Sequence, residues 1–271
     1  MSSPSQPDSP SSDKASQTAS GLKGLLEALR TVLTVILVTV VLRTFLFEPF
    51  SIPSGSMIPT LQVGDYLWVS KYSYGYSRYS FPFSPPLFNG RIPDIAPHRG
   101  DVAVFRFTKD TSIDYVKRII GLPGDRVQVK GGRLYLNGEL VPCKPEGEYV
   151  AIDEHRTHMR GEMCEEELPA SNGHGTVDHQ ILKLTDEGMQ NDTPEYVVPP
   201  GHFFAMGDNR DDSADSRFMG DDPLDLGFVP IENLVGRVQI VFFSVDKAHP
   251  FWEFWYWPSE IRWNRFLHPV H

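Results

Sequence analysis

The sequence predicts a mainly β protein: an antiparallel β domain with a smaller inserted β-rich and loop-containing subdomain, preceded by one N-terminal transmembrane helix. The 271-residue chain contains 23 prolines and 22 glycines, and helical patterning is weak after residue 50, which is typical of a turn-rich β domain. One strongly apolar run, Thr31 to Phe47, precedes this part. Alternating apolar segments then recur from Val63 to Val245, as strands with one buried face require.

Residues 1–25 begin with a stretch rich in Ser, Pro, Gln, Asp and Lys that has almost no apolar side chains. Such a segment buries too little surface to offset the entropy cost of ordering. We therefore predict a disordered N-terminus, in which helical character begins only near Leu22.

Residues 26–48 carry the apolar run, which Pro49 follows and a single charge, Arg43, interrupts. The run is as long as a short membrane span. A buried core helix would show a polar face, and a cleaved signal peptide would be followed by small residues rather than by Phe47-Glu48-Pro49-Phe50. We therefore predict a retained transmembrane anchor. Basic residues before it predict a cytoplasmic N-terminus; they are Lys14, Lys23 and Arg30.

A serine loop follows the anchor almost directly, with the sequence Ser54-Gly55-Ser56-Met57-Ile58-Pro59-Thr60-Leu61. Its glycine lets backbone approach a ligand closely, and Pro53 and Pro59 stiffen the loop on both sides. A serine hydroxyl becomes an effective nucleophile only when a neighbouring base takes its proton. These residues alone fit a polar turn between helix and domain even better than a nucleophile.

The rest of the chain divides by composition into a main β domain, an insertion and a tail. The main domain comprises residues 49–141 and 181–250, with predicted strands at 65–72, 100–107, 114–121, 126–130, 133–136 and 234–245. Residues 142–180 are polar and form a predicted surface insertion. The tail, residues 251–271, is rich in Trp and is expected either to contact lipid or to pack on its own domain.

The insertion contains both cysteines of the chain, Cys143 and Cys164. Together with the nearby histidines their spacing fits no familiar zinc finger, so we predict no metal site. One disulfide and two free thiols are equal alternatives, and a disulfide would indicate a compartment outside the reducing cytoplasm.

Lys117 lies in the predicted strand 114–121 and shares a face with Tyr115 and Ile119. An ammonium group held against apolar surface loses hydration, which lowers its pKa. A neutral lysine is a competent general base. The alternative is an edge-strand lysine that keeps its amine in water.

The segment Gly207 to Arg217 alternates acids, arginines and serines. This pattern indicates a self-contained network of ion pairs and hydrogen bonds. A solvated loop or a calcium site would use the same residue types, although the spacing does not match a calcium loop closed by Glu.

The serine loop, the segment 115–125 and the segment 207–217 occur in the order found in bacterial type I signal peptidases, which the chain closely resembles from residue 30 to 245. The resemblance implies a β-rich serine endopeptidase with a serine/lysine dyad and no cofactor. It implies removal of signal peptides from secretory preproteins at the bacterial cytoplasmic membrane. The catalytic domain would lie on the periplasmic side.

The resemblance also implies roles for individual residues. Ser56 matches the nucleophile, Lys117 the general base, and Ser54 the serine whose hydroxyl helps the Ser56 amide to hold the oxyanion. Positions that match the substrate pockets are Phe50, Ile52, Pro53, Met57, Leu61, Tyr115 and Val116.

In the third motif, Ser213 matches the serine that orients the lysine, and Asp215 and Arg217 match a supporting ion pair. Asp212 stands where the family commonly has Asn. A carboxylate facing the amine would raise the lysine pKa, so we expect the Asp212 side chain to point outward.

Other function classes fit less well. The net charge of -10 argues against nucleic acid as a partner, because phosphate binding needs a basic face. Ser244-Val245-Asp246-Lys247 fits the S-x-x-K pattern of penicillin-binding proteins, but the companion motifs are missing. The remaining rivals are a self-cleaving repressor-like serine/lysine protease and a non-enzymatic anchored β module, in which Ser56 and Lys117 would be dispensable.

Overall fold

The computed structural model describes residues 11–81, 83–86, 88–152, 158–246 and 255–270. The chain divides into two units, Met1–Arg43 and Thr44–His271. The described residues of the first unit belong to helix α1, Ser11–Phe45. Within α1, Lys23–Phe45 is a segment of 23 residues that contains an 18-residue window with mean hydropathy 2.2 and no buried side chain. By length and composition it could cross a membrane.

Helix α1 begins earlier than the sequence predicted. Residues 1–25 were expected to be disordered, whereas the structure is helical from Ser11, and residues 1–10 lie outside the described residues. No proline occurs between Pro10 and Pro49. Because proline is the residue that most strongly stops a helix, nothing in this interval prevents the helix of the apolar run from extending towards the N-terminus.

The second unit is built from strands. They are β1 (Phe47–Ser51), β2 (Asp65–Ser70), β3 (Val102–Arg106), β4 (Asp114–Gly121), β5 (Arg126–Lys130), β6 (Arg133–Leu136), β7 (Glu139–Leu140), β8 (Cys143–Ile152), β9 (His158–Pro169), β10 (Thr176–Lys183), β11 (Tyr196–Val197), β12 (His202–Met206), β13 (Val229–Pro230), β14 (Leu234–Ser244) and β15 (His268–Pro269). A short helix, α2 (Trp257–Glu260), and 3-10 turns at Tyr72–Tyr74, Arg78–Ser80, Ile231–Asn233 and Trp263–Arg265 connect them.

The described strands form three antiparallel sheets. The largest has the order β1-β2-β14-β3-β4-β12-β13, with β15 added to β14. A second contains β11-β5-β6-β7, and a third contains β10-β9-β8. The predicted mainly β fold is confirmed, and the predicted strand 114–121 coincides with β4.

Apolar side chains from the largest sheet fill the core of the second unit. One cluster includes Leu67, Val104 and Val238, and a neighbouring one includes Phe105 and Phe203, all fully or almost fully buried. Because β4 pairs with β3 on one side and with β12 on the other, it is an interior strand, and its side chains point to the two faces of the sheet.

The insertion is built on the three-stranded sheet β8–β10, in line with the predicted β-rich subdomain. Cys143 and Cys164 form a disulfide across β8 and β9, with Cα atoms 5.5 Å apart. Strand β10 continues past the predicted boundary at residue 180 to Lys183. Among the described residues no group of histidines, cysteines and acids is placed to hold a metal ion.

The C-terminal tail packs on its own domain over residues 255–270. Arg265 donates to both carboxylate oxygens of Asp65, at 3.0 and 2.5 Å, and Val270 is buried against the largest sheet. Trp255 and Trp263 remain exposed. The tail is therefore held by polar contacts, and contact of its Trp residues with lipid stays a prediction.

Candidate active site

The serine loop connects β1 to β2, whose antiparallel pairing fixes both of its ends. The Ile52 amide donates to the Asp65 carbonyl at 2.9 Å, and the Gly64 amide donates back to the Ile52 carbonyl at 3.0 Å. Within the loop Ser54 is exposed, whereas Ser56 is half-buried. A substrate could therefore reach both hydroxyls from the surface.

Strand β4 brings Lys117 to this loop. The side chain is 4% exposed, and its Nζ lies 2.5 Å from Ser56 Oγ. The amine is also 5.9 Å from the centre of the Tyr115 ring, on the same face of the strand as predicted. The edge-strand alternative for Lys117 is wrong, because β4 is an interior strand and the amine is buried.

The electrostatic surroundings of Lys117 favour its neutral form. Burial lowers the pKa of Lys117 from 10.5 to about 8, because a poorly hydrated ammonium is disfavoured. Asp215 is the strongest group raising this pKa, Arg217 lowers it further, and Asp208 and Asp212 add smaller upward contributions. Asp212 is exposed, as expected. Near pH 8 a substantial fraction of Lys117 is thus an uncharged base.

Asp215 and Arg217 form the expected ion pair, buried behind the dyad. Arg217 donates from Nε to Asp215 Oδ1 at 2.9 Å and from Nη2 to Oδ2 at 2.8 Å, and the Gly207 amide donates to Oδ2 at 3.0 Å. Burial acts to raise the pKa of Asp215, but Arg217 outweighs it and holds the pKa below its ordinary value. Asp215 therefore stays ionised beside the lysine.

Ser213 lies close to the dyad but does not make the contact implied for it. It is 8% exposed, and its Oγ has no hydrogen-bond partner in the part of the chain that the structure describes. It packs on Gly207: a Cβ added there would be 2.6 Å from Ser213 Cβ and 2.5 Å from the Ser56 carbonyl oxygen. Orientation of the lysine by Ser213 stays a prediction.

Asn209 is a site residue that sequence reasoning did not single out. Its backbone N–H donates to the Ser56 carbonyl at 3.1 Å, and its side-chain Nδ2 donates to the Gly55 carbonyl at 3.2 Å. Asn209 thus fixes the backbone on which the Ser56 hydroxyl is mounted. The one feature of the sequence that could have indicated this role is the presence of a side-chain amide within the polar segment 207–217.

Asp208 and Arg118 make a second buried ion pair that was also missed. Arg118 donates to both Asp208 oxygens, at 2.9 and 2.8 Å, and Thr60 Oγ1 donates to Asp208 Oδ2 at 2.6 Å. Both charged side chains are at most 1% exposed. The pair therefore joins β4, the polar segment and the end of the serine loop in one rigid arrangement.

The residues expected to line substrate pockets divide between two core clusters and the surface. Most belong to one apolar cluster, with Ile52, Met57 and Leu61 in its interior and Phe50 and Val116 at its margin. Tyr115 stacks on Phe107 with ring centroids 4.8 Å apart, and Pro53 is exposed. Ile52, Met57 and Leu61 have almost no exposed surface, whereas Phe50, Pro53, Tyr115 and Val116 remain at least partly accessible. Contact of these residues with a substrate stays a prediction.

Two further sequence alternatives concern residues away from this site. Ser244 of the S-x-x-K match is buried and donates to Asp65 Oδ1 at 2.6 Å, which marks it as structural. Lys247 lies outside the described residues.

Comparison with known proteins identifies the relatives of the chain. The family described as "Signal peptidase, peptidase S26" matches residues 25–243. The signal peptidase I of Pseudomonas aeruginosa is 44% identical over 211 residues, which cover 76% of this chain and 68% of that protein. The enzyme of the same name from Rickettsia canadensis is 39% identical over 212 residues, 76% of each chain.

A crystal structure of a signal peptidase I from Enterococcus faecalis also matches. It is 25% identical, with a TM-score of 0.29, over 52% of this chain and 96% of that one. The serine loop, β4 and the polar segment 207–217 all fall inside the span that the family matches.

Proposed function

Since this chain belongs to the signal peptidase family, peptidase S26, and is thereby a serine protease, we propose that Ser56 is its nucleophile and Lys117 its general base. The reaction is removal of N-terminal signal peptides from secreted preproteins. The observation that carries the proposal is the 2.5 Å separation of Lys117 Nζ and Ser56 Oγ around a buried amine. A hydroxyl and a neutral base in hydrogen-bond contact are what nucleophilic acyl transfer requires.

In the first step, neutral Lys117 accepts the Ser56 proton as Ser56 Oγ attacks the scissile carbonyl. The carbonyl oxygen becomes an oxyanion, which the Ser56 amide and the Ser54 hydroxyl stabilise. One such donor contributes about 3 kcal/mol of transition-state stabilisation. The exposed position of Ser54 leaves its hydroxyl free to turn towards the substrate.

In the second step, the lysine ammonium returns the proton to the leaving amine, and the C–N bond breaks. The mature protein departs, while the signal peptide remains esterified to Ser56. Lys117, neutral again, accepts a proton from water as the water attacks the ester. The ammonium then returns this proton to Ser56 Oγ as the ester C–O bond breaks, which releases the signal peptide and restores both residues. Asp215 limits how far the lysine pKa falls, so that the amine can exchange protons in both directions.

Substrate selection would depend on the apolar surface beside Ser56. Shallow pockets that involve Ile52, Met57 and Tyr115 would accept small side chains at the first and third positions before the cut, as signal-peptide cleavage sites present. Larger side chains would collide with residues that are already packed in the core.

We further propose that the chain is anchored in the bacterial cytoplasmic membrane by Lys23–Phe45, with its N-terminus in the cytoplasm and the catalytic domain on the periplasmic side. The apolar segment and the basic residues before its apolar run, Lys14, Lys23 and Arg30, support this orientation. The Cys143–Cys164 disulfide fits an oxidising compartment. The anchor would hold the site near preproteins that are themselves still in the bilayer.

Cleavage of a purified preprotein by the full chain in detergent tests this function. We expect a single cut whose new N-terminus follows small residues at the first and third positions, identified by mass spectrometry. Enlarging the residue before the cut from Ala to Leu should lower kcat/KM by about 10- to 200-fold, since the added methylenes have no space. No cleavage of the Ala preprotein, or equal cleavage of both, would contradict the proposal.

The pH dependence of the reaction follows from the pKa of Lys117. Only the neutral amine can accept the Ser56 proton, so kcat/KM for the free enzyme should rise with pH and level off above a midpoint at about 8. The rise has this sign because deprotonation creates the base. The measurement is kcat/KM across the pH range; activity that falls through pH 8 would oppose the assignment of Lys117.

A further inference from the structure

A second cluster of buried charges lies outside the dyad, at the contact between the insertion and the polar segment 207–217. Its members are Glu166 on β9, His179 on β10 and Arg210 of the polar segment, which are 1%, 5% and 4% exposed. Buried charges are costly unless they are paired. The catalytic steps above use none of these three, so their retention in the interior needs another explanation.

The cluster is built as a two-pronged ion pair with a histidine behind it. Arg210 donates from Nη1 to Glu166 Oε1 at 2.8 Å and from Nη2 to Oε2 at 2.5 Å. His179 Nε2 lies 3.4 Å from Glu166 Oε2, opposite Glu166 in the β9–β10 register. Burial acts to raise the pKa of Glu166, but Arg210 and His179 outweigh it and lower the pKa to about 2. Glu166 is therefore a permanent anion.

The backbone joins the insertion to the same segment. The Leu182 amide of β10 donates to the Asp208 carbonyl at 2.8 Å, and the Arg210 amide donates to the Leu182 carbonyl at 2.9 Å. Leu182 is thus hydrogen-bonded to the residues on both sides of Asn209, and the Asn209 backbone N–H donates to the Ser56 carbonyl. The insertion contacts the residues that build the site, although its sequence suggested only a polar surface feature.

A second route leads from Arg210 to the lysine. The Arg210 carbonyl accepts a hydrogen bond from Arg217 Nη2 at 2.6 Å. Arg217 also forms the ion pair with Asp215, which is the strongest group raising the Lys117 pKa. Fixing the Arg210 side chain fixes its backbone as well. A displacement of Arg210 would therefore move Asn209, which contacts the Ser56 backbone, and Arg217, which pairs with Asp215 beside Lys117.

We propose that Glu166 is a positioning residue for this reaction: by pairing with Arg210 it makes the inserted sheet the support that holds the segment Asp208–Arg217 against the Ser56–Lys117 dyad. The inference depends on the dyad assigned above. It gives the insertion a task in catalysis, since a bidentate arginine pair fixes geometry as well as charge.

The test is Glu166→Gln, measured as kcat and KM for preprotein cleavage and as the pH midpoint of kcat/KM. We expect kcat to fall about 10- to 100-fold with little change in KM, because a small misplacement of the segment costs reaction rate. The midpoint should move to lower pH, because a displaced segment takes Asp215, the strongest group raising the Lys117 pKa, away from the amine. The charged groups acting on Lys117 are Asp215, Arg217, Asp208 and Asp212, and Glu166 itself faces Arg210 and His179.

Glu167→Gln is the matched control. Glu167 is the next residue of β9, is half-buried and pairs with Lys144 instead. It should keep the kcat and the pH midpoint of the unchanged chain. A merely structural role of Glu166 would lower stability without moving the midpoint.

Removing one partner of a buried pair can prevent folding. The double variant Glu166→Met with Arg210→Met therefore provides a second test of the proposal. It leaves no buried charge unpaired, and we expect it to fold and to show the lowered kcat and the lowered midpoint of Glu166→Gln, because the segment has still lost its support. Unchanged kcat in the folded Glu166→Gln or double variant would overturn the inference. If the unchanged chain cleaves preprotein, that outcome leaves the dyad intact; if it does not, the proposed function itself fails.

Discussion

Lys117→Met is expected to lower kcat/KM for preprotein cleavage by at least about 10³-fold, and Ser56→Ala to lower it at least as far. Methionine approximates the length of the lysine side chain but cannot accept a proton, so the Ser56 hydroxyl loses its base while the packing around Tyr115 is retained. The amine is 4% exposed, so water cannot readily take its place. The measurement is preprotein turnover with the purified variants side by side.

Two comparisons separate loss of the base from loss of the fold. Lys71→Met removes another buried amine, 3% exposed, which lies 2.8 Å from Glu48 Oε2 and donates to the Ser80 carbonyl at 2.8 Å. We expect its activity to stay within about tenfold of the unchanged chain. The double variant of Ser56 and Lys117 should be no slower than either single one, because residues that act as a unit are not additive. Lys117→Met that cleaves at the rate of Lys71→Met would refute the dyad.

The strand that carries the base was predictable because its pattern is local. The β-branched and aromatic residues around Lys117 predict a strand, and the two-residue period of a strand places the amine on the face of Tyr115 and Ile119. The prediction for 114–121 coincides with β4, and the amine is buried as expected. The burial itself needed the serine loop, whose Ser56 contacts the amine, and a contact between residues far apart in sequence leaves no local mark in the sequence.

Neither the serine loop nor the polar segment could be assigned a function from its own sequence, and the reason is the same for both. A turn rich in Ser and Pro and a solvated acidic loop use the same residues as a nucleophile and an ion-pair network. Their order along the chain resolved the ambiguity, and the family match agrees. The Asn209 and Arg118 contacts were not foreseen, because a hydrogen bond between residues far apart in sequence depends on the completed fold.

The insertion shows how composition can mislead. Its polar, histidine-containing sequence predicted a surface feature, yet Glu166 and His179 are buried. Acidic side chains are rarely fully buried unless they are paired, and the partner, Arg210, lies in a different segment. A charge balance calculated within the insertion alone cannot reveal such a pair.

Gly207→Ala is expected to lower kcat by about 10²-fold, because Gly207 lies where two parts of the site meet. An added Cβ would be 2.5 Å from the Ser56 carbonyl oxygen and 2.6 Å from Ser213 Cβ, and contacts that short force backbone to move. Displacing Ser56 relative to Lys117 lengthens the contact through which the proton passes, and a misplacement of about 1 Å costs a rate factor of that size.

The Gly207 prediction is checked by kcat for preprotein cleavage together with circular dichroism, which reports whether the β domain remains folded. Gly24→Ala is the control: no atom lies within 4 Å of the added Cβ, and alanine favours the helix that contains it. Gly207→Ala with the kcat of Gly24→Ala would mean that Ser213 or the serine loop can yield without disturbing the dyad. The close approach of the two segments would then be a packing detail, and the rate would depend on the Ser56–Lys117 contact alone.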